Sequence, residues 1–83
     1  MFYCYILKSI NSGKYYIGST ENFQKRLIIH NLGRVKSTKH DKPWILVKLE
    51  NFQSLREARK RELQIKNWKS REAIEKLFKT PGF

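Results

Sequence analysis

The sequence predicts an α+β domain in which a three-stranded antiparallel sheet has helices packed against it, in the order ββαβαα. A hairpin signal opens the chain, an alternating apolar segment lies in its middle, and two amphipathic stretches with helix-capping residues follow. With 83 residues the chain has room for one modest core. Residues 1–83 are therefore expected to form a single domain.

The chain is expected to begin with a β-hairpin. Phe2 to Leu7 is rich in aromatic and β-branched residues, Asn11-Ser12-Gly13 is a turn signal, and Lys14 to Gly18 resumes the strand. A helix follows, for which either Thr20 or Asn22 is a suitable N-cap because both side chains can accept a backbone hydrogen bond.

The first helix is predicted to run to about Asn31, and Gly33 supplies a stop signal because glycine adopts left-handed backbone readily. A polar, basic loop continues to Pro43, which cannot extend a helix. The segment Trp44 to Phe52 then alternates apolar and mixed positions, as a strand covered on one face does. This segment is the predicted third strand.

Two helices are predicted to complete the fold. Ser54 and Glu57 have the spacing of a capping box, which begins a helix that continues to about Trp68. Ser70 caps the last helix, whose apolar stripe ends before Pro81-Gly82.

The charge of the chain indicates a polyanionic partner. Eighteen Lys and Arg residues against seven Asp and Glu give a net charge of +11, spread along the whole sequence. Such a domain gains affinity for DNA or RNA by releasing counterions, which explains the charge better than a merely cationic surface or an anionic membrane. Cys4 is the only cysteine, and no export signal or membrane span is visible, so we expect a cytoplasmic protein.

Two polar side chains lie on the apolar arc of the first predicted helix. At 100° per residue, Arg26 and His30 share the arc that Phe23 and Leu27 define. They are four residues apart, so both can contact one ligand. A snorkelling arginine and a hydrogen-bonded core histidine explain them equally well at this point.

A carboxylate lies on the apolar arc of the second predicted helix. Glu62 falls on the arc formed by Leu55, Ala58 and Ile65. Carboxylates are rarely buried without a partner, so Glu62 is expected to meet a cation of the protein or to hold a metal ion. A salt bridge to Arg26 carries the same weight as a metal site.

Tyrosines crowd the predicted hairpin, at Tyr3, Tyr5, Tyr15 and Tyr16. Cross-strand packing is the ordinary explanation of such a cluster. Gly18, however, shares one strand face with Tyr16, and a glycine there leaves room for a group to approach the backbone closely.

Taken together, these residues resemble the GIY-YIG nuclease superfamily, and in particular small stand-alone members related to the N-terminal nuclease domain of bacterial UvrC. Tyr3-Cys4-Tyr5 corresponds to the first motif and keeps only its tyrosine, whereas Tyr16-Ile17-Gly18 retains the second motif. Arg26, His30 and Glu62 fall on the remaining family positions.

The resemblance implies a metal-dependent endonuclease that hydrolyses phosphodiester bonds, with DNA as the favoured substrate and a role in repair or recombination. Glu62 would hold Mg²⁺ or Mn²⁺, and Arg26 would bind a phosphate oxygen. Tyr5 or Tyr16 would be the general base. His30 would relay the proton or orient the attacking water.

Outside this predicted site, basic side chains are expected to bind the flanking nucleic-acid backbone. They are Lys8, Lys14, Arg34, Lys36, Lys39 and Lys42. Backbone contacts carry little sequence information, so we expect a preference for branched or otherwise structured substrates over particular sequences. The sequence leaves open both the oligomeric state and whether the nuclease needs a protein partner.

Two rival functions remain at this stage. The first is a module that keeps the fold and binds DNA or RNA without cutting it, an alternative that the incomplete first motif leaves open. The second is a structural protein of nucleoid or ribosome type, whose binding would depend on salt but not on Glu62 or Arg26.

Overall fold

The elements of the computed structural model, which describes residues 1–79, follow the predicted order ββαβαα. The strands and helices are β1 (Phe2–Ser9), β2 (Tyr15–Thr20), α1 (Phe23–Asn31), β3 (Trp44–Phe52), α2 (Leu55–Trp68) and α3 (Arg71–Glu75). A short 3₁₀ helix, Lys39–Asp41, lies in the loop before β3, where the sequence predicts no regular element. Helix α3 ends ahead of Pro81-Gly82, which lie outside the described residues.

The hairpin is longer than the sequence predicts. Strand β1 extends to Ser9 and β2 to Thr20, beyond the expected ends at Leu7 and Gly18. The polar residues at these strand ends weaken the sequence signal, although their backbones still pair. At the turn, Gly13 has a φ of 76°, in the left-handed region, and its N–H donates to the Ser9 carbonyl at 3.0 Å.

The sheet has the strand order β2-β1-β3, and both pairings are antiparallel. The central strand is therefore β1, and its residues 4–7 are almost completely buried. A strand covered on both faces has a continuous apolar run instead of an alternating one, which explains the composition of this segment. Strand β2 is an edge strand, so groups from either face of the sheet can approach along its free side.

Helices α2 and α3 cover one face of the sheet. The core there is formed by Cys4 and Ile6 of β1, Ile17 of β2, Ile65 of α2 and Ile74 of α3. Burial raises the pKa of the Cys4 thiol to about 12, with smaller contributions from neighbouring carboxylates. The thiol is therefore a protonated, inert packing group.

Helix α1 and the loop that follows it belong to the opposite face. Tyr5, Leu7 and Trp44 form the buried core on this side, and Leu27 of α1 packs against them. Asn31, at the end of α1, donates to the Trp44 carbonyl at 3.0 Å and accepts from the Trp44 N–H at 2.6 Å. This pair of hydrogen bonds fixes α1 to the start of β3.

Side chains cap the three α-helices within residues 1–79, as the sequence predicts. Asn22, and not Thr20, accepts a backbone hydrogen bond at the start of α1, while Ser54 and Ser70 begin α2 and α3. Gly33 follows α1 with a φ of 76°, in agreement with its predicted role as a stop signal. No helix within residues 1–79 has the length and apolar character needed to cross a membrane.

Candidate active site

The phenol of Tyr5 lies at the centre of the candidate site. Tyr5 stands opposite Gly18 in the pairing of β1 with β2, and only 2% of its surface is exposed. Its ring end lies directly over the Gly18 backbone, so a Cβ added at Gly18 would overlap the hydroxyl and two ring carbons. The close approach expected at Gly18 is thus made by Tyr5 itself.

Replacing Gly18 with alanine is expected to destabilise the fold by about 1–3 kcal/mol, because the buried Tyr5 ring has no room to move away. Urea unfolding measures this cost. In a Tyr5→Leu background the overlapping atoms are absent, so the same substitution should cost much less. Equal costs in the two backgrounds would show that the clash is not the cause.

His30 connects the Tyr5 phenol to the loop after α1. The imidazole is fully buried, its Nε2 lies 3.2 Å from the Tyr5 hydroxyl, and its Nδ1 lies 2.8 Å from the hydroxyl of Thr38. Tyr16 packs against the same imidazole, with ring centroids 4.8 Å apart. His30 is therefore a hydrogen-bonded core histidine and also a neighbour of both candidate base tyrosines.

Burial, with a smaller effect from the positive charge of Arg26, lowers the pKa of His30 from 6.5 to about 4. The ring is neutral at physiological pH. Between pH 4 and pH 6.5, His30 is protonated in the unfolded chain but neutral in the folded chain. The stability contributed by neutral His30 is complete above about pH 6.5 and is lost as the pH falls toward 4.

We expect the free energy of unfolding to decrease by up to about 1.4 kcal/mol per pH unit from this group as the pH falls below 6. Denaturant unfolding at several pH values measures the slope. The His30→Gln variant should have a flatter profile, whereas His40→Gln, at an exposed position, should keep the wild-type slope. Identical slopes in all three proteins would contradict this assignment.

Arg26 lies one turn before His30 on α1 and is half-buried. No carboxylate within residues 1–79 forms a salt bridge with it, so the alternative of an Arg26–Glu62 pair is not what the structure contains. Burial raises the pKa of Tyr5, and the neighbouring Arg26 guanidinium partly opposes this effect. A half-buried guanidinium beside a phenol is well suited to bind an anion.

Glu62 approaches the edge strand from the other face of the sheet. Its side chain is 18% exposed, and the carboxylate accepts from the Ser19 hydroxyl at 2.7 Å and from Lys66 Nζ at 2.5 Å. Glu62 lies on the buried arc of α2, as the helical periodicity predicts, next to the buried Ala58 and Ile65. Its cationic partner is Lys66, one turn further along α2.

Glu62 lies on one side of edge strand β2, and Tyr5, Arg26 and His30 lie on the other. Ser19, which holds the carboxylate, directly follows Gly18, over which the Tyr5 ring lies from the opposite face. The Glu62 charge is near enough to contribute to the raised pKa of Tyr5. The candidate site therefore wraps around the free side of β2, with a carboxylate on one side and a phenol, a guanidinium and an imidazole on the other.

The carboxylate of Glu62 is the one group here suited to a divalent ion. Within residues 1–79 no three His, Cys, Asp or Glu side chains gather as a metal cluster. A Zn²⁺ site with several protein ligands is therefore not formed by these residues, whereas Mg²⁺ and Mn²⁺ accept one carboxylate together with waters and phosphate oxygens. The Glu62 carboxylate fits such an ion once Lys66 moves away from its Oε2 atom.

The six basic residues expected to bind the nucleic-acid backbone belong to the hairpin and to the loop after α1. Lys8 lies over the Tyr15 ring at 5.9 Å, on the face that carries α2 and α3. Lys14 is 3.8 Å from Asp41, near the hairpin turn. The other four are exposed in the loop after α1, namely Arg34, Lys36, Lys39 and Lys42.

Three residues of this site are not among those predicted from the sequence. Lys66 is four residues after Glu62, a spacing that predicts an ion pair on a helix and could have revealed it. Ser19 gives no such signal. Thr38 belongs to a polar loop, where the sequence offers no reason to expect a side chain that is 1% exposed.

The chain is similar to known proteins in sequence. The model of the GIY-YIG catalytic domain matches residues 1–76. A UPF0213 protein of Syntrophus aciditrophicus is 40% identical over 81 residues, which cover 95% of this chain and 92% of the relative. A UPF0213 protein of Staphylococcus haemolyticus is 36% identical over 76 residues, with coverage of 90% and 92%.

A solved structure has the same fold. The solution NMR structure of a UPF0213 protein of Bacillus halodurans is 34% identical in sequence and superimposes with a TM-score of 0.57. The match covers 93% of this chain and 82% of that protein. Together with the family match over residues 1–76, these similarities show that the chain belongs to the GIY-YIG family of nuclease domains, beside the UPF0213 proteins.

Proposed function

We propose that this protein is a metal-dependent endonuclease that hydrolyses phosphodiester bonds of DNA. The observation that carries the proposal is the Tyr5 hydroxyl, which lies beside His30 Nε2 and near the Arg26 guanidinium, with the Glu62 carboxylate within electrostatic reach. Phosphodiester hydrolysis needs a base for the water and positive charge for the phosphate oxygens. These four side chains have the chemistry to supply both.

Tyr5 is our candidate for the general base, in preference to Tyr16. Burial raises the pKa of Tyr5, so the phenol is protonated at rest and must pass on its own proton as it takes one from water. His30 Nε2, at 3.2 Å, is in position to accept it. Tyr16 packs edge-on against His30 and would hold the imidazole in place.

Arg26 and Glu62 would divide the work of holding the phosphate. The Arg26 guanidinium would bind a non-bridging oxygen of the phosphate. The negative charge of the bound phosphate would offset the Arg26 charge, which contributes to the lowered pKa of His30, so His30 would accept a proton more easily. Glu62 would hold Mg²⁺, or Mn²⁺ in its place, after Lys66 moves away from the carboxylate. The ion, when bound, would stabilise negative charge on the phosphate and the leaving oxygen.

The basic residues of the chain support DNA as the substrate. The exposed basic residues of the loop after α1, namely Arg34, Lys36, Lys39 and Lys42, would contact the backbone on either side of the cleaved bond. Contacts of this kind favour DNA structure over sequence, and a role in repair or recombination fits such a preference. The single cysteine, Cys4, gives no intrachain disulfide and supports a cytoplasmic protein.

Cleavage of a panel of substrates tests this function. The panel contains supercoiled, flapped, branched and single-stranded DNA with matching RNA, each incubated with Mg²⁺ or with EDTA. We expect Mg²⁺-dependent cuts in structured DNA by the wild type and none by Arg26→Gln purified in the same way. Equal activity of the two proteins would identify a contaminating nuclease, and the proposal would then have no support from the assay.

The Lys66–Glu62 salt bridge favours a second candidate function, a nucleic-acid-binding module without cleavage. It neutralises the one carboxylate suited to the ion. Such a module would bind DNA or RNA with strong salt dependence and would leave every substrate of the panel intact. Filter binding on the same substrates separates this outcome from a protein that does not bind at all.

A further inference from the structure

Thr38 is held in a fixed orientation beside the candidate site. Its N–H donates to the Val35 carbonyl at 3.0 Å, and its own carbonyl accepts from Trp44 Nε1 at 2.9 Å. The residue is 1% exposed although it belongs to a polar loop. Because both backbone groups are held, the position of Thr38 beside His30 is fixed.

The neighbours of the Thr38 hydroxyl indicate where the protons lie. The Thr38 hydroxyl has two neighbours, the Val35 carbonyl at 3.4 Å and His30 Nδ1 at 2.8 Å. A carbonyl only accepts, so the arrangement that makes both hydrogen bonds has the hydroxyl donate to Val35 and the oxygen accept from Nδ1–H. A neutral imidazole carries one N–H, and the lone pair is thus left on Nε2, facing the Tyr5 hydroxyl.

We propose that Thr38 is a positioning residue, which holds neutral His30 in the tautomer protonated at Nδ1 so that Nε2 accepts a proton from Tyr5. The inference rests on the proposed nuclease function and deepens it. In the opposite tautomer Nε2 would be a donor, and the phenol could not pass its proton to the imidazole. Thr38 would therefore set the direction of the relay without touching the substrate.

During hydrolysis, the relay moves one proton from water to Tyr5 and one from Tyr5 to His30. The water oxygen forms a bond to phosphorus while one water proton passes to the Tyr5 oxygen, and the phenol proton passes to His30 Nε2. The P–O bond to the leaving oxygen breaks, and that oxygen takes a proton from solvent. The imidazolium then returns the Nε2 proton to the Tyr5 oxygen while the phenol releases its own proton to solvent, which restores the resting tautomer.

Nitrogen NMR of the histidine rings tests the tautomer directly and independently of cleavage. Long-range ¹H–¹⁵N spectra of the full chain at pH 7 distinguish protonated from unprotonated ring nitrogens, and the exposed His40 is the internal reference. We expect the wild-type His30 ring to be protonated at Nδ1, as in Thr38→Ser. Thr38→Val should shift the ring toward protonation at Nε2.

A wild-type His30 ring protonated at Nε2 would overturn the inference without any variant, even if Thr38→Val does not fold. An unchanged ring in folded Thr38→Val would overturn it too. In cleavage assays we expect Thr38→Val to lower kcat by about ten- to a hundredfold with little change in KM, and Thr38→Ser to restore it. If the wild type does not cleave but the tautomer is as expected, the nuclease proposal fails while the assignment of Thr38 stands.

Discussion

Replacing Tyr5 with phenylalanine is expected to lower the cleavage rate by about a hundred- to ten-thousandfold, the usual contribution of a general base. The substitution keeps the ring over Gly18 and removes only the hydroxyl that contacts His30. The buried His30 Nε2 loses its partner, which should also cost about 1–3 kcal/mol of stability. Single-turnover cleavage and urea unfolding measure the two effects separately.

Tyr15→Phe is the matched control for this prediction. Tyr15 also lies in the hairpin, but its hydroxyl donates to Glu75 at 2.6 Å on the face that carries α2 and α3. Its loss should leave cleavage unchanged. If Tyr16→Phe abolished cleavage while Tyr5→Phe cut at nearly the wild-type rate, Tyr16 would be the base and the relay through His30 would be wrong.

The second large effect is expected for Glu62→Gln. The amide has nearly the same shape and can still accept from Ser19, but it loses the negative charge that a divalent ion requires. Loss of metal stabilisation worth several kcal/mol corresponds to a rate decrease of about a thousandfold. The cleavage rate as a function of Mg²⁺ concentration, with Mn²⁺ binding followed by electron paramagnetic resonance, checks this result.

Glu57→Gln is the corresponding control because it removes the same charge from an exposed position in the first turn of α2. Its Mn²⁺ affinity and cleavage rate should equal those of the wild type. A Glu62→Gln protein that binds Mn²⁺ and cleaves as well as Glu57→Gln would remove Glu62 from the site.

The sequence predicted the elements of the fold because their signals are local. Asn22, Ser54 and Ser70 mark the helix starts through hydrogen bonds that span three residues. The position of β1 at the centre of the sheet depends on its pairing with the distant strand β3, from Phe2 opposite Phe52 to Ser9 opposite Trp44. In the sequence, the continuous apolar run of β1 indicates a strand that is covered on both faces, as a central strand is.

The candidate site could be predicted only in part, for the same reason. Helical periodicity identified His30 and Glu62 on buried arcs, and both are largely buried in the structure. Helical periodicity predicts which face of a helix is buried, but it does not predict which residue of another element contacts that face. The Arg26–Glu62 pair, one of two alternatives that the sequence leaves open, is not formed, and Lys66 pairs with Glu62 instead. The contact of Thr38 with His30 depends on how the loop folds, which periodicity does not predict.

Mn²⁺ paramagnetic broadening in NMR spectra of the ¹⁵N-labelled protein, bound to a short structured DNA, tests the central claim most directly. If Glu62 and the Tyr5 phenol act on one phosphate around the free side of β2, the ion should broaden the amide signals of Gly18, Ser19 and Glu62 at the lowest concentrations. Broadening centred instead on α3, around the carboxylates of Glu72 and Glu75, would contradict a shared site at β2.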